Sequence, residues 1–114
     1  MPRILVVEDE TEQLAIRRQL LEHAGYEVLV AQTAAAALSL LPGCRAVLMD
    51  LRIPTLADGV KLIEAAIKSS TRIIVLSGAE PDASLPVDEF LTKPCSSKKL
   101  LETVNRCCAS ALGR

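Results

Sequence analysis

The chain has 114 residues, half of them apolar, and its 13 basic and 14 acidic side chains leave a net charge of -1. That size fits one domain, residues 1–114, whose core needs no disulfide or metal staple, and the near-neutral balance excludes the positive field that draws nucleic acid or an anionic membrane. No run reaches the ~18 apolar residues of a membrane span and no secretory segment is complete, so a soluble cytoplasmic protein is expected, with no direct nucleic-acid or membrane partner.

In chain order, ILVVED (Ile4 to Asp9) reads as a first strand. EQLAIRRQLLEHAG follows with Leu14, Leu20, Leu21 and Ala24 near helical spacing and Gly25 as its stop. YEVLVA is a second strand, and TAAAALSLLPG a helix capped by Thr33 and ended by Pro42 and Gly43. CRAVLMD is a third strand, LRIPTLADG a loop and VKLIEAAIKSS a helix. RIIVLSG and EFLTK are the fourth and fifth strands, and CSSKKLLETVNRCCASAL closes the chain as a helix. Strands as continuously apolar as ILVV and IIVL are covered on both faces, so the alternation predicts an α/β doubly wound parallel sheet. Cys44, Cys95, Cys107 and Cys108 show no metal-ligand spacing and read as reduced thiols, mostly small buried hydrophobes.

Ligands of such sheets sit beyond the carboxyl ends of the strands, and the polar residues of this chain gather there. Glu8 and Asp9 leave the first strand, Asp50 the third, Ser77 and Gly78 the fourth, and Lys93 the fifth, before Pro94. If the first and third strands are neighbours, three carboxylates converge, and two charges about 4 Å apart repel by roughly 4 kcal/mol at an effective dielectric of about 20. A divalent cation offsets that repulsion, and a few hard oxygens with room for water suit Mg²⁺. Lys93 and Ser77 suit phosphoryl oxygens, which leaves Asp50 as the nucleophile.

Four motifs in order, ED, MDLRIP, LSG and FLTKP, make the sequence resemble the receiver domain of two-component response regulators over nearly its whole length. The resemblance implies a flavodoxin-like five-stranded sheet in the order 2-1-3-4-5. It implies that Asp50 accepts a phosphoryl group from a histidine kinase or histidine phosphotransfer protein. It assigns Mg²⁺ to Asp9, Asp50 and the backbone carbonyl of Arg52, with Glu8 acting through water. Ser77 would bond the phosphoryl group, Lys93 would pair with it, and Ser77 and Phe90 would form the switch. Beyond self-phosphorylation and autodephosphorylation at Asp50, no enzyme activity is expected. The alternative is a pseudo-receiver that binds protein without being phosphorylated.

Each of these residues also has a plain reading. An acidic triplet complements a helix N-terminus, Asp50 and Ser77-Gly78 suit turns, and Phe90 suits a core. His23 reads as solvated at a helix end, and Arg17-Arg18 and Lys98-Lys99 as solvated helix faces. An aspartyl-phosphate phosphatase would want a second Asp two places after the first, where Arg52 stands, and a flavin-type binder would want a phosphate loop where EDETEQ is acidic. Two departures from the family pattern stand out. Asp58-Gly59 come one residue late after Pro54, which reads as an extra loop residue. AEPDASLPVD, between Gly78 and Glu89, is too interrupted by proline for a crossover helix, since crossovers take at least ~10–12 residues. The fourth helix of the family is therefore expected to be absent or about one turn, with an apolar patch left on the strand-four to strand-five side for a homodimer or output partner.

Overall fold

The computed structural model describes residues 2–78 and 84–110. The apolar runs form β1 (Arg3–Val7), β2 (Glu27–Ala31), β3 (Ala46–Met49), β4 (Arg72–Ser77) and β5 (Glu89–Thr92). They pair in parallel in the order β2-β1-β3-β4-β5, the doubly wound flavodoxin-like order expected. Among the described residues, four helices flank them: α1 (Thr11–His23), α2 (Ala34–Leu38), α3 (Leu56–Lys68) and α4 (Ser97–Ser110).

Strand side chains alternate between faces, so each central strand feeds two cores. Leu5, Val7, Val47, Met49, Ile73 and Val75 pack under α2 and α3. Ile4, Val6, Leu48, Ile74, Leu76 and Leu91 pack under α1 and α4, against Leu14, Leu21, Leu100 and Val104. Each fully buried Leu, Ile or Val contributes about 1.5–3 kcal/mol relative to exposure, which is why β1, β3 and β4 carry no polar residue between their first residues and their carboxyl ends. Cys44, Cys107 and Cys108 are buried and in no disulfide, and Cys95 is half-buried.

Two helix boundaries differ from the sequence reading. Thr33 caps α2 as expected, its hydroxyl accepting from the Ala36 N–H at 3.1 Å, but the helix ends at Leu38, before Pro42 is reached. A proline disfavours helical backbone in the residue before it, and the chain has already turned to bury Leu41. The second difference lies in TLADG, which is not loop. The Thr55 hydroxyl accepts from the Asp58 N–H at 3.2 Å and donates to Asp58 Oδ2 at 2.5 Å, a cap that starts α3 at Leu56. Gly59 therefore sits inside the helix, where it passes against the Leu51 carbonyl just beyond β3.

Between β4 and β5, residues 84–88 contain no helix, and residues 79–83 lie outside the described residues. Over residues 84–88 this agrees with the absent or one-turn fourth helix of the sequence reading. On the side where the apolar patch is expected, Leu85, Val87 and Phe90 pack partly buried against the α2/α3-side core. Asp88 anchors the segment: its carboxylate accepts from the Ile73 N–H at 2.7 Å and from Arg72 Nη1 at 3.1 Å.

Candidate functional site

Parallel register brings the exits of β1, β3, β4 and β5 to one edge. Val7 pairs with Met49, Met49 with Val75, and Ser77 with Thr92, so Glu8, Asp50, Ser77 and Lys93 each lie at or just past a neighbouring strand end. The Lys93 N–H donates to the Ser77 carbonyl at 2.8 Å, which extends the β4–β5 ladder to the lysine itself.

Asp50 and Lys93 meet directly, with Lys93 Nζ 2.7 Å from Asp50 Oδ2. The Arg52 N–H donates to Asp50 Oδ1 at 3.2 Å, a turn that closes on the acid from its own loop. The pair is partly exposed, so an incoming group can reach Asp50 and find an ammonium already beside it. Ser77 is buried at the end of β4, and Phe90 is half-buried on β5 at the margin of the α2/α3-side core.

Glu8 has a partner on α1. Two residues after Val6, it continues the strand face that looks toward α1, and there Arg17 Nη1 donates to Glu8 Oε1 in a buried ion pair. Glu8 Oε2 accepts from the Glu10 N–H at 3.0 Å. Glu8 is 2% exposed and Arg17 8%, which overturns the reading of Arg17 as a solvated helix face. Arg18 does face solvent, paired with Glu22 one turn on. A signal for Arg17 was present in the sequence: Leu14, Arg17 and Leu21 fall on one buried stripe of α1, with a charge where the pattern calls for an apolar residue. Burial pushes the Glu8 carboxyl up, yet the Glu10 N–H, Asp9 and Arg17 outweigh it and hold the group below the usual carboxylate range. Asp9 is exposed and its carboxyl is raised, chiefly by its contact with Glu8, then by desolvation, with the charges of Glu8 and Asp50 adding.

Of the three acids expected to converge, Glu8 is paired with Arg17 while its carboxylate still contacts that of Asp9. Asp9 and Asp50 lie within each other's field, and their hard oxygens, with turn backbone near Arg52, fit a divalent ion that keeps several waters. Among the described residues, no group of three or more His, Cys, Asp or Glu side chains forms a metal cluster. A groove of about 490 Å³ opens beside Lys93 between α1 and the start of α4, lined by Gln13, Ile16, Arg17, Pro94, Cys95 and Ser97 among others. None of the helices among the described residues is long and apolar enough to cross a membrane.

The family model for the response regulator receiver domain matches residues 4–105, from β1 into α4. The chain belongs to the response regulator receiver family of two-component systems. The receiver is 30% identical to the transcriptional regulatory protein CpxR of Escherichia coli K12 over 91% of its own length, and 30% identical to AruR of Pseudomonas aeruginosa over 89%. These alignments take in 48% and 47% of the two regulators, so the receiver spans about half the length of the curated relatives it matches. Among crystal structures, a CheY-like receiver domain protein from Methanospirillum hungatei superposes with a TM-score of 0.88 at 27% identity, covering 99% of this receiver and 98% of that chain. A receiver protein from Sinorhizobium medicae gives the same TM-score at 26% identity, with 96% of each chain covered.

Proposed function

We propose that this receiver takes a phosphoryl group onto Asp50 from the phosphohistidine of a histidine kinase or phosphotransfer protein. The observation that carries the reading is the Asp50–Lys93 pair at 2.7 Å on the carboxyl edge of the sheet, in a chain of the receiver family. A carboxylate oxygen of Asp50 forms the new P–O bond as the donor's P–N bond breaks, and the electron pair of that bond stays on the donor histidine nitrogen. Lys93 is one hydrogen bond from anything attached to Asp50 and is placed to move from the carboxylate to the phosphoryl oxygens. Ser77, at the end of β4, would supply a hydroxyl to the same group, and Phe90 would follow it as the switch aromatic. Asp9, Asp50 and the Arg52 carbonyl would hold Mg²⁺, which when bound neutralises charge on the phosphoryl oxygens. The groove between α1 and α4 opens beside Lys93 and would admit the phosphodonor.

On this reading the protein is cytoplasmic and has no catalytic activity beyond its own phosphorylation and dephosphorylation. Intact mass after incubation with acetyl phosphate tests it. A Mg²⁺-dependent gain of one phosphoryl group, absent in Asp50→Ala, is expected. A folded protein that gains no adduct with or without Mg²⁺ would refute the reading and favour a module that acts by binding alone.

A further inference from the structure

The peptide between Leu51 and Arg52 is held from both sides. A trans peptide is planar, and its carbonyl and its N–H point in nearly opposite directions. On one side the Arg52 N–H donates to Asp50 Oδ1 at 3.2 Å. On the other the Leu51 carbonyl faces α3 at Gly59, where a Cβ would stand 1.8 Å from the oxygen and 2.9 Å from its carbon. Those distances differ by nearly the full length of a C=O bond, so the bond points almost straight at the place a side chain would begin. The peptide is thus wedged between α3 and the Asp50 carboxylate, and only a hydrogen fits behind it. Its surroundings leave it little freedom, since Leu51 and Ile53 are buried and Thr55 caps the first turn of α3. The other oxygen of Asp50 meets Lys93 Nζ at 2.7 Å, so the carboxylate is held at both ends, once by a charge and once by a peptide that α3 backs.

We propose that Gly59 is a positioning residue for Asp50: it lets α3 back directly onto the Leu51–Arg52 peptide, which fixes the carboxylate in the orientation that meets Lys93. The inference rests on the reading of Asp50 as the phosphoryl acceptor. Gly59 touches neither the donor nor the phosphoryl group and acts only through the peptide. A methyl group at position 59 cannot share the space of the Leu51 carbonyl, and α3 is anchored by Leu62, Ile63 and Ala66 in the core, so the loop yields before the helix does. The displaced peptide moves toward Asp50, where a bond of 3.2 Å leaves no room for it, and the carboxylate turns away from Lys93.

The test compares Gly59→Ala with the native chain in two ways: the initial rate of phosphorylation from acetyl phosphate at saturating Mg²⁺, and the backbone amide spectrum by two-dimensional NMR, with folding checked by circular dichroism. Misplacing a reacting group by about 1 Å can cost ~100-fold in rate, so Gly59→Ala is expected to slow the reaction at least ~10-fold. The Arg52 amide proton should lose the downfield shift that a carboxylate acceptor gives it. Asp88→Ala, which loosens the opposite, amino edge of the sheet, controls for instability alone and should keep both the native rate and the native Arg52 shift. The inference is overturned if folded Gly59→Ala reacts at the native rate or keeps the Arg52 shift, or if Asp88→Ala slows the reaction as much. Should Gly59→Ala not fold, Thr55→Ala decides, because it removes the cap that seats the first turn of α3 behind the peptide. A slower rate together with a moved Arg52 amide supports the proposal there, and a native value of either refutes it. A native chain that gains no phosphoryl group overturns the reading of Asp50 and the inference together, whereas a failure confined to the Gly59 and Thr55 variants overturns the inference alone.

Discussion

Gly59→Ala sets two physical effects against each other. Gly59 lies in the first turns of α3, and on helix propensity alone alanine there stabilises by about 1 kcal/mol. The tertiary structure predicts the opposite sign. A Cβ built on Gly59 would stand 1.8 Å from the Leu51 carbonyl oxygen and 2.9 Å from its carbon, both backbone atoms just beyond β3. Relief requires about 1.5 Å of movement of α3 or of the loop after Asp50, and overpacking of that order costs about 3 kcal/mol. With the propensity gain subtracted, a net loss of about 2 kcal/mol remains, which lowers Tm by about 8 °C for a chain of this size. Urea denaturation and a thermal melt of the variant beside the native chain measure it. Unchanged or raised stability would show that Gly59 does not fix the approach of α3 to the loop.

Three further outcomes are expected. Asp88→Ala removes the acceptor of the Ile73 N–H and the partner of Arg72, and should cost about 1–2 kcal/mol in chemical denaturation; a loss within error would show that the β4–β5 connection is held by other contacts. Lys93→Met should slow phosphorylation from acetyl phosphate by about 100-fold while leaving the fold intact, as is typical for loss of one preorganised charge, and an unchanged rate would remove Lys93 from the transfer step. Cys107, whose thiol is pushed up to about 11 chiefly by burial, should resist iodoacetamide at pH 8 in the folded protein and react on denaturation, because the thiolate is the nucleophile and is scarce at that pH; fast labelling of the native chain at Cys107 would contradict its burial.

Much of the site was legible because it lies where local rules meet a topological one. The continuous apolar runs of β1, β3 and β4 could only be strands covered on both sides, and their polar exits then had to share one edge. Asp50 and Lys93 were identified this way, and the structure brings them to 2.7 Å. The pairing of Glu8 with Arg17 was missed for one reason: each was weighed within its own segment, as an acid in a charged triplet and a base in a pair of arginines. The tertiary fold faces β1 with α1 and buries both, and a buried charge needs a partner more than a solvated one does.

From sequence alone, the order and type of the elements, the parallel sheet and the chemical identity of its carboxyl edge were determined, because periodicity and strand-end chemistry act over a few residues at a time. Only the tertiary structure decided that Glu8 pairs with Arg17 of α1, that Asp58 and Gly59 belong to α3, and that Leu85 and Val87 fold back onto the core. Those outcomes depend on contacts between segments far apart in the chain: Arg17 with Glu8, Gly59 with Leu51, and Asp88 with Ile73.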